Sequence, residues 1–496
     1  MNEFANKNIA RMKSYAPPIE GRRQYDGMLL DFNERTVPPS QKVIKALRKF
    51  LDKNDLQIYP EYGRIEAKIA DYAGVEKDQV MIVNGSDQGI DLIFRTFTSK
   101  GGKVVIPSPS FAMFYQCAEI MGNKVISPES SKAIDEKTQL VVICNPNNPT
   151  GSLTSLEEIE KILKKAANIN GVVYVDEAYF EFSGVTTAKL IRKYPNLIIT
   201  RTFSKAFGIA SLRIGYILAQ KPLIDEMKKI RGPYDVNMMA VCAASASLED
   251  LGSMRRYVAE VMNKAKPLIE KFFTQNRIDF YPSKANFILF KPNNSKVFKA
   301  LKANGLLLRP RGGELLRLTI GTVEQTEKFI RFYRENFLQK YAFLDRDGAL
   351  IFEPRDNFQI DSLKKLKILP GVTKGLKRLK QKGFKFIMVS NQDGLGTKSF
   401  PKKDFEKPQN RLVEILMKQG IEFEKIFVCP HKEEGNCNCR KPKTGLLDAF
   451  FKSNCGRIDM ENSFMYGDRE SDRQFAKNLN LKFIKAQTNG KFDLEK

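Results

Sequence analysis

The stretch from Thr200 to Tyr216 reads TRTFSKAFGIASLRIGY, and it decides how the first two thirds of the chain are organised. A β-branched run, LIIT at 197–200, leads into Ser204-Lys205, and Arg213 follows eight residues on, within the run LRIGYI. A lone lysine at a strand end is ordinarily a surface residue. Upstream, however, VVYVD carries Asp176 at the end of an apolar strand, and LVVIC runs into the turn-forming NPNNPTG of residues 145–151. Strands of this kind, KVVIP at 103–107 among them, alternate with helical stretches, which predicts an α/β domain with a largely parallel sheet. One helix is announced after NPNNPTG, where Thr154 and Glu157 have capping-box spacing. Another, VEQTEKFIRFYRENF, ends near residue 337.

A second alternation begins with KYAFLDRDG at 340–348 and continues through VTKGLKRLKQKG, FKFIMVSNQ, KIFVCPH, FMYGDRE and LKFIKA. Two α/β domains are therefore expected, residues 1–340 and 341–496, joined without a Gly, Ser or Pro spacer. A length of 496 residues accommodates both cores.

Hydrophobic residues at 42% and charged residues at 28% exclude a disordered or collagen-like chain. No apolar run approaches the roughly 20 residues of a membrane helix. The polar start MNEFANKNIA has no signal core, so a cytoplasmic protein with no membrane partner is expected. The formal charge of +25 invites a nucleic-acid partner. The excess is spread as KK and KR pairs on polar helix faces, with no basic tail, so a solvated surface suited to anionic small molecules is the better reading and no nucleic-acid partner is expected. Seven cysteines without a signal peptide argue against a disulfide framework. Cys429, His431, Cys437 and Cys439 fall within eleven residues and include the chain's single histidine. Three thiolates and an imidazole complete a tetrahedral zinc site with no open position, so the zinc is expected to be structural.

Four segments of the N-terminal region together resemble a fold type I aminotransferase dependent on pyridoxal phosphate, over about residues 10 to 335, and within that group histidinol-phosphate aminotransferase. The resemblance implies a large, mostly parallel sheet domain with a small domain. It assigns Lys205 to hold the cofactor covalently and to move protons on the substrate carbon. Arg213 matches the arginine that binds the cofactor phosphate, with Thr202 or Ser204 adding a hydroxyl. Asp176 would keep the ring nitrogen protonated, and Tyr179 and Asn148 match residues that hydrogen-bond the ring hydroxyl, although Asn-Pro is also ordinary turn chemistry. In VMIVNGSDQGI, Gly85, Ser86 and Asp87 open a helix that favours phosphate. Phe111 in PSPSFAMF matches the residue stacked on the ring. Tyr59 in IYPEYG matches a tyrosine that reaches the phosphate from a neighbouring subunit, which implies a homodimer. Arg317 in LLRLTIG matches the carboxylate-gripping arginine, with Arg309 and Arg311 also placed around the substrate. RPRGGELLRLTIG is shorter than the usual stretch between these arginines.

The C-terminal region resembles the haloacid dehalogenase superfamily, with a Rossmann-like domain, and within it histidinol-phosphatase. Asp345 in FLDRDG would attack phosphorus, while Asp347 protonates the leaving alcohol and later activates water. Ser390 in VSNQ and Lys441 in CRKPK would hold and balance the phosphoryl group. Mg2+ is expected on Asp345, Asp347 and Asp468. Ala349 stands where the superfamily usually has Thr or Val. The two families catalyse consecutive steps of histidine biosynthesis. The expectation is therefore a bifunctional enzyme that transaminates imidazole-acetol phosphate with glutamate and then hydrolyses histidinol phosphate. The alternative is an aromatic aminotransferase joined to a sugar-phosphate phosphatase.

Overall fold

A computed structural model describes residues 4, 7–127 and 133–494, so part of the polar N-terminal start lies outside the described residues. The chain divides into two compact units, residues 1–270 with 280–329, and residues 271–279 with 330–496.

In the first unit the strands in chain order are β1 (Met28–Leu30), β2 (Val80–Val83), β3 (Lys103–Val105), β4 (Lys124–Ile126), β5 (Thr138–Cys144), β6 (Val172–Asp176), β7 (Leu197–Thr202), β8 (Gly215–Ala219), β9 (Phe287–Phe290), β10 (Leu306–Pro310) and β11 (Leu316–Thr319). Seven of them form a sheet in the order β2-β8-β7-β6-β5-β3-β4. Only β8 runs antiparallel to its neighbours. Every residue of β6 and β7 is buried, which is why these strands read as continuous apolar runs rather than alternating ones. Ile90, Phe94, Phe114, Tyr174 and Ile217 belong to the core on one side of this sheet. The other strands form a four-stranded sheet, β1-β10-β11-β9.

The helix after NPNNPTG begins at Leu156, one residue later than the capping-box spacing indicates. Its N-cap is Ser155, whose side chain accepts from the Glu158 N–H. Thr154 instead bonds through its backbone N–H to the Asn145 side chain, so the turn claims it first.

In the second unit β12 (Lys340–Leu344), β13 (Phe384–Asn391), β14 (Phe423–Cys429), β15 (Phe464–Gly467) and β16 (Lys482–Lys485) form an all-parallel sheet in the order β14-β13-β12-β15-β16. Side chains of β12 alternate between two cores. Tyr341 and Phe343 pack with Phe450 and Phe475, while Ala342 and Leu344 pack with Leu376 and Leu412. The strand order reverses between β12 and β15, and in such sheets ligands bind beyond the carboxyl ends at that reversal. Asp345 and Asp468 lie immediately past those two ends. Among the described residues, no helix is long and apolar enough to cross a membrane.

Candidate active sites

Past the carboxyl ends of β5, β6 and β7 the first unit gathers Asn148, Asp176, Thr202, Ser204 and Lys205. The Lys205 Nζ donates to the Phe32 carbonyl at 2.8 Å. Desolvation brings its amine down to about 8, with the Glu34 charge acting the other way. Asp176 is buried, and its Oδ1 accepts from the Ala178 N–H at 3.0 Å. Burial pushes its carboxyl up to about 7, so an uncompensated anion is disfavoured there.

Arg213 and the helix start at Gly85 meet closely. A Cβ on Gly85, whose φ is +70°, would sit 2.5 Å from Arg213 Nη2. Arg213 also donates to the Asp87 carboxylate at 3.0 Å, so Asp87 engages the arginine by its side chain. Ser86 lies in the first turn of this helix. Thr202 Oγ1 accepts from the Ser204 N–H at 3.1 Å. Phe111 caps the helix Ala112–Met121 and meets Phe114 edge-on. Tyr59 is 70% exposed and stacks on Tyr234.

On the substrate side three arginines converge. Asn148 Oδ1 accepts from Arg317 Nη1 at 2.5 Å and from Arg311 Nη2 at 3.2 Å. Arg309 lies 4.8 Å above the Phe32 ring. Burial, reinforced by Arg311, lowers Arg317 to about 9. Asn148 is thus engaged by arginines, whereas the Tyr179 hydroxyl accepts from Asn33 Nδ2 at 3.0 Å. Phe32, Asn33 and Arg22 were not singled out from sequence. Arg22 covers Phe32 at 4.4 Å and donates to Asp31 and Glu34. LDFNER, at 30–35, has no spacing that separates it from an ordinary loop, and only tertiary contact brings it to Lys205.

The chemistry of this donor set fits pyridoxal phosphate. A buried carboxylate raised by desolvation, an amine held below its usual range and a glycine that leaves room beside an arginine at a helix start match its ring nitrogen, aldehyde and phosphate.

In the second unit, Asp345, Asp347, Ser390, Gln392, Arg440, Lys441 and Arg469 line a cavity of about 280 Å3. Lys441 Nζ uses all three donors, to Asp345 Oδ1 and Asp472 Oδ1 at 2.6 Å each and to the Val389 carbonyl at 2.9 Å. Burial works against this ammonium, but the two carboxylates outweigh it and hold its pKa above the usual lysine value. Ser390 Oγ accepts from Gln392 Nε2 at 2.8 Å.

Carboxylate oxygens of Asp345, Asp468 and Asp472 lie within 4.8 Å of one another. Asp468 Oδ1 is buried and has no hydrogen-bond partner among the described residues, which fits an oxygen kept for a cation. Asp472 was missed in the sequence; it lies in the first turn of the helix Glu470–Leu479 that follows Asp468, within the short acidic run DRESD. Asp347 stands outside this group, with its carboxylate against Arg346 and Gln392. Ala349 is buried with Leu350 and Ile351 in the apolar core, where a small side chain is accommodated.

The thiols of Cys429, Cys437 and Cys439 lie 3.2 to 3.6 Å apart, and His431 Nδ1 is 3.2 Å from Cys439 and 3.7 Å from Cys429. A tetrahedron with zinc–sulfur bonds of about 2.3 Å spaces its ligands roughly 3.8 Å apart, so the cluster fits zinc with modest adjustment. The loop also reaches the cavity. Arg440 Nη1 donates to the His431 carbonyl, and the Gln392 N–H donates to the Cys429 carbonyl.

The model of the aminotransferase class I and II family matches residues 25–332. That of polynucleotide kinase 3 phosphatase matches residues 340–488, which suggests a phosphatase domain. Histidinol-phosphate aminotransferase of Thermoanaerobacter pseudethanolicus is 35% identical over 329 residues, 62% of this chain and 93% of that protein. A dihydroxyacetone phosphate transaminase of Campylobacter jejuni is also 35% identical, over 65% of this chain and 94% of that protein. The structure of Sinorhizobium meliloti histidinol-phosphate aminotransferase in complex with pyridoxal-5'-phosphate superposes with a TM-score of 0.58 at 20% identity, covering 66% of this chain and 96% of that one. The chain belongs to the class I and II aminotransferases.

Proposed function

We propose that this protein is a bifunctional enzyme that transaminates a phosphorylated ketone and then hydrolyses the phosphate ester of the amino alcohol it has made. The observation that carries this reading is the pairing on one chain of a lysine site facing Arg309, Arg311 and Arg317 with a phosphoryl-transfer site built on Asp345 and Lys441. Imidazole-acetol phosphate with glutamate as donor is the first substrate pair, giving L-histidinol phosphate and then L-histidinol.

In the first site Arg213, Ser86, Ser204 and the backbone at Gly85 would hold the phosphate of pyridoxal phosphate, Asp176 its ring nitrogen, and Phe111 its ring face. When bound, the cofactor supplies a sink for the electron pair left on the substrate carbon. Lys205, brought down to about 8, would take the proton from the substrate carbon and deliver it to the cofactor carbon that carried the aldehyde oxygen. Arg317 clamps the donor's carboxylate, and Arg309 and Arg311 are available to the phosphate of the ketone. Tyr59, exposed on the single chain, is suited to completing the phosphate site of a second copy, and we read the enzyme as a homodimer.

In the second site we read a haloacid-dehalogenase-type phosphatase, supported by the all-parallel sheet and by an aspartate at each strand end of the reversal. An Asp345 oxygen bonds to phosphorus as the phosphorus–oxygen bond to the alcohol breaks, and Asp347 gives the alcohol its proton. Asp347 then takes a proton from water, whose oxygen attacks phosphorus and frees Asp345. Lys441 and Ser390 would balance and orient the phosphoryl oxygens. Mg2+ on Asp345 and Asp468 would offset the dianion, and zinc on the four-residue cluster would hold the loop that presents Lys441.

The Campylobacter relative, equally similar at 35%, favours a second substrate for the same chemistry. Dihydroxyacetone phosphate would give 2-aminopropane-1,3-diol phosphate and then the free diol. The test is a coupled assay of the purified protein with pyridoxal phosphate, Mg2+ and glutamate against each ketone, following 2-oxoglutarate and inorganic phosphate. Both products from imidazole-acetol phosphate, with phosphate lagging, support the first reading. Both from dihydroxyacetone phosphate alone move the assignment to the second. Phosphate released only from a 3'-phosphorylated oligonucleotide would overturn the shared scheme.

A further inference from the structure

Arg346, between the two aspartates of FLDRDG, is fully buried and is not among the residues lining the phosphatase cavity. Burying a guanidinium is costly unless it is paired and well bonded. Among the described residues its one ion pair is with Asp347. Arg346 Nη1 donates to Asp347 Oδ1 at 2.8 Å and to Oδ2 at 3.1 Å, while Nε and Nη2 have no hydrogen-bond partner among the described residues. The group lies 4.9 Å from the Phe405 ring centroid, and the Arg346 carbonyl accepts from the N–H groups of Leu350 and Ile351, so backbone and side chain are both held. On the cavity side Gln392 Nε2 donates to Asp347 Oδ2 at 2.5 Å and to Ser390 Oγ. A cation so poorly satisfied is a weak contribution to stability, yet both oxygens of one cavity-lining carboxylate are fixed by it.

We propose that Arg346 is a positioning residue that aims the Asp347 carboxyl group at the ester oxygen of the departing alcohol. The inference rests on the phosphatase reading above, in which the Asp347 proton passes to that oxygen as its bond to phosphorus breaks and the bond from Asp345 to phosphorus forms. A misaimed acid slows departure of a poor leaving group far more than that of a good one, because p-nitrophenolate leaves without a proton.

The experiment compares kcat/KM for p-nitrophenyl phosphate with that for the alkyl ester turned over fastest by the parent among histidinol phosphate, 2-aminopropane-1,3-diol phosphate and glycerol 3-phosphate. Full-length parent, Asp347→Asn, Arg346→Met, Arg346→Lys and the Arg346→Met, Asp347→Asn double variant are measured, with melting curves recorded for each. In Arg346→Met the alkyl ester is expected to lose at least tenfold more than the aryl ester. In the Asp347→Asn background the same change should cost the alkyl ester less than about threefold, since a group acting through Asp347 has nothing left to aim. Arg346→Lys keeps the cation but not the rigid planar group that sets its direction, and should show a smaller split in the same direction; it decides the matter if the methionine variant does not fold. Equal losses for both esters, or full additivity in the double variant, would reduce Arg346 to a packing role. Absence of a split in Asp347→Asn itself would instead sink the acid assignment on which the inference stands.

Discussion

At the scale of single residues, the two sites rely on opposite uses of burial. Asp176 is fully enclosed, burial outweighs the nearby Lys205 charge, and its carboxyl rises to about 7. The unfolded chain releases this proton near 3.8 and the folded chain near 7, so between those values the folded state binds more protons and stability falls as pH rises. Cofactor-free protein should therefore melt at progressively lower temperature from pH 4 to pH 7. Asp176→Asn should flatten that part of the profile, the full effect being on the order of 4 kcal/mol at most. Adding pyridoxal phosphate should flatten it in the parent too, because a protonated ring nitrogen pairs with the anion. A parent profile that is already flat in the cofactor-free protein would contradict this account. Lys441 shows the converse, with three acceptors around one ammonium. That Lys441 and Asp468 lie beside Asp345 was expected from the resemblance, and the structure brings them together. That Asn148 faces two arginines was not, because Arg311 and Arg317 lie more than 160 residues away along the chain.

Two elements carry the argument one level up. The helix beginning at Gly85 approaches Arg213 so closely that a methyl group would displace the guanidinium, and its first residue has a positive φ that costs an L side chain about 1 to 2 kcal/mol. Gly85→Ala is expected to weaken pyridoxal phosphate binding about tenfold, read by cofactor titration, with little change in the fold of the second unit. The loop from Cys429 to Cys439 is the other element. Cys437→Ser should lower zinc content toward zero and reduce phosphatase turnover at least tenfold, since Lys441 and Gln392 are both tied to this loop. Metal content by mass spectrometry checks the first outcome and phosphate release the second. The start of the helix after NPNNPTG was legible to within a residue, and the displaced cap at Ser155 shows the reason for the remainder, since a tertiary turn competed for Thr154.

For the whole molecule, the two sites lie in separate compact units and draw on different residues, so their chemistries should separate. Lys205→Ala should abolish 2-oxoglutarate formation and leave phosphate release within about twofold. Asp345→Asn should do the reverse. Loss of both activities in either well-folded variant would contradict independent sites. By itself the sequence determined the α/β class of both regions, the lysine and aspartate at the strand ends and the cluster of three cysteines with one histidine. Each of these is a local matter, set by apolar runs, turn chemistry and short spacing. Only the tertiary structure decided that Phe32 meets Lys205 and Asn33 meets Tyr179, that Asp472 completes the carboxylate group, and that Asp347 is held by Arg346 and Gln392. Those relations join segments whose separation or side-chain direction no periodicity records, because packing, not spacing, brings their polar groups into hydrogen-bond reach.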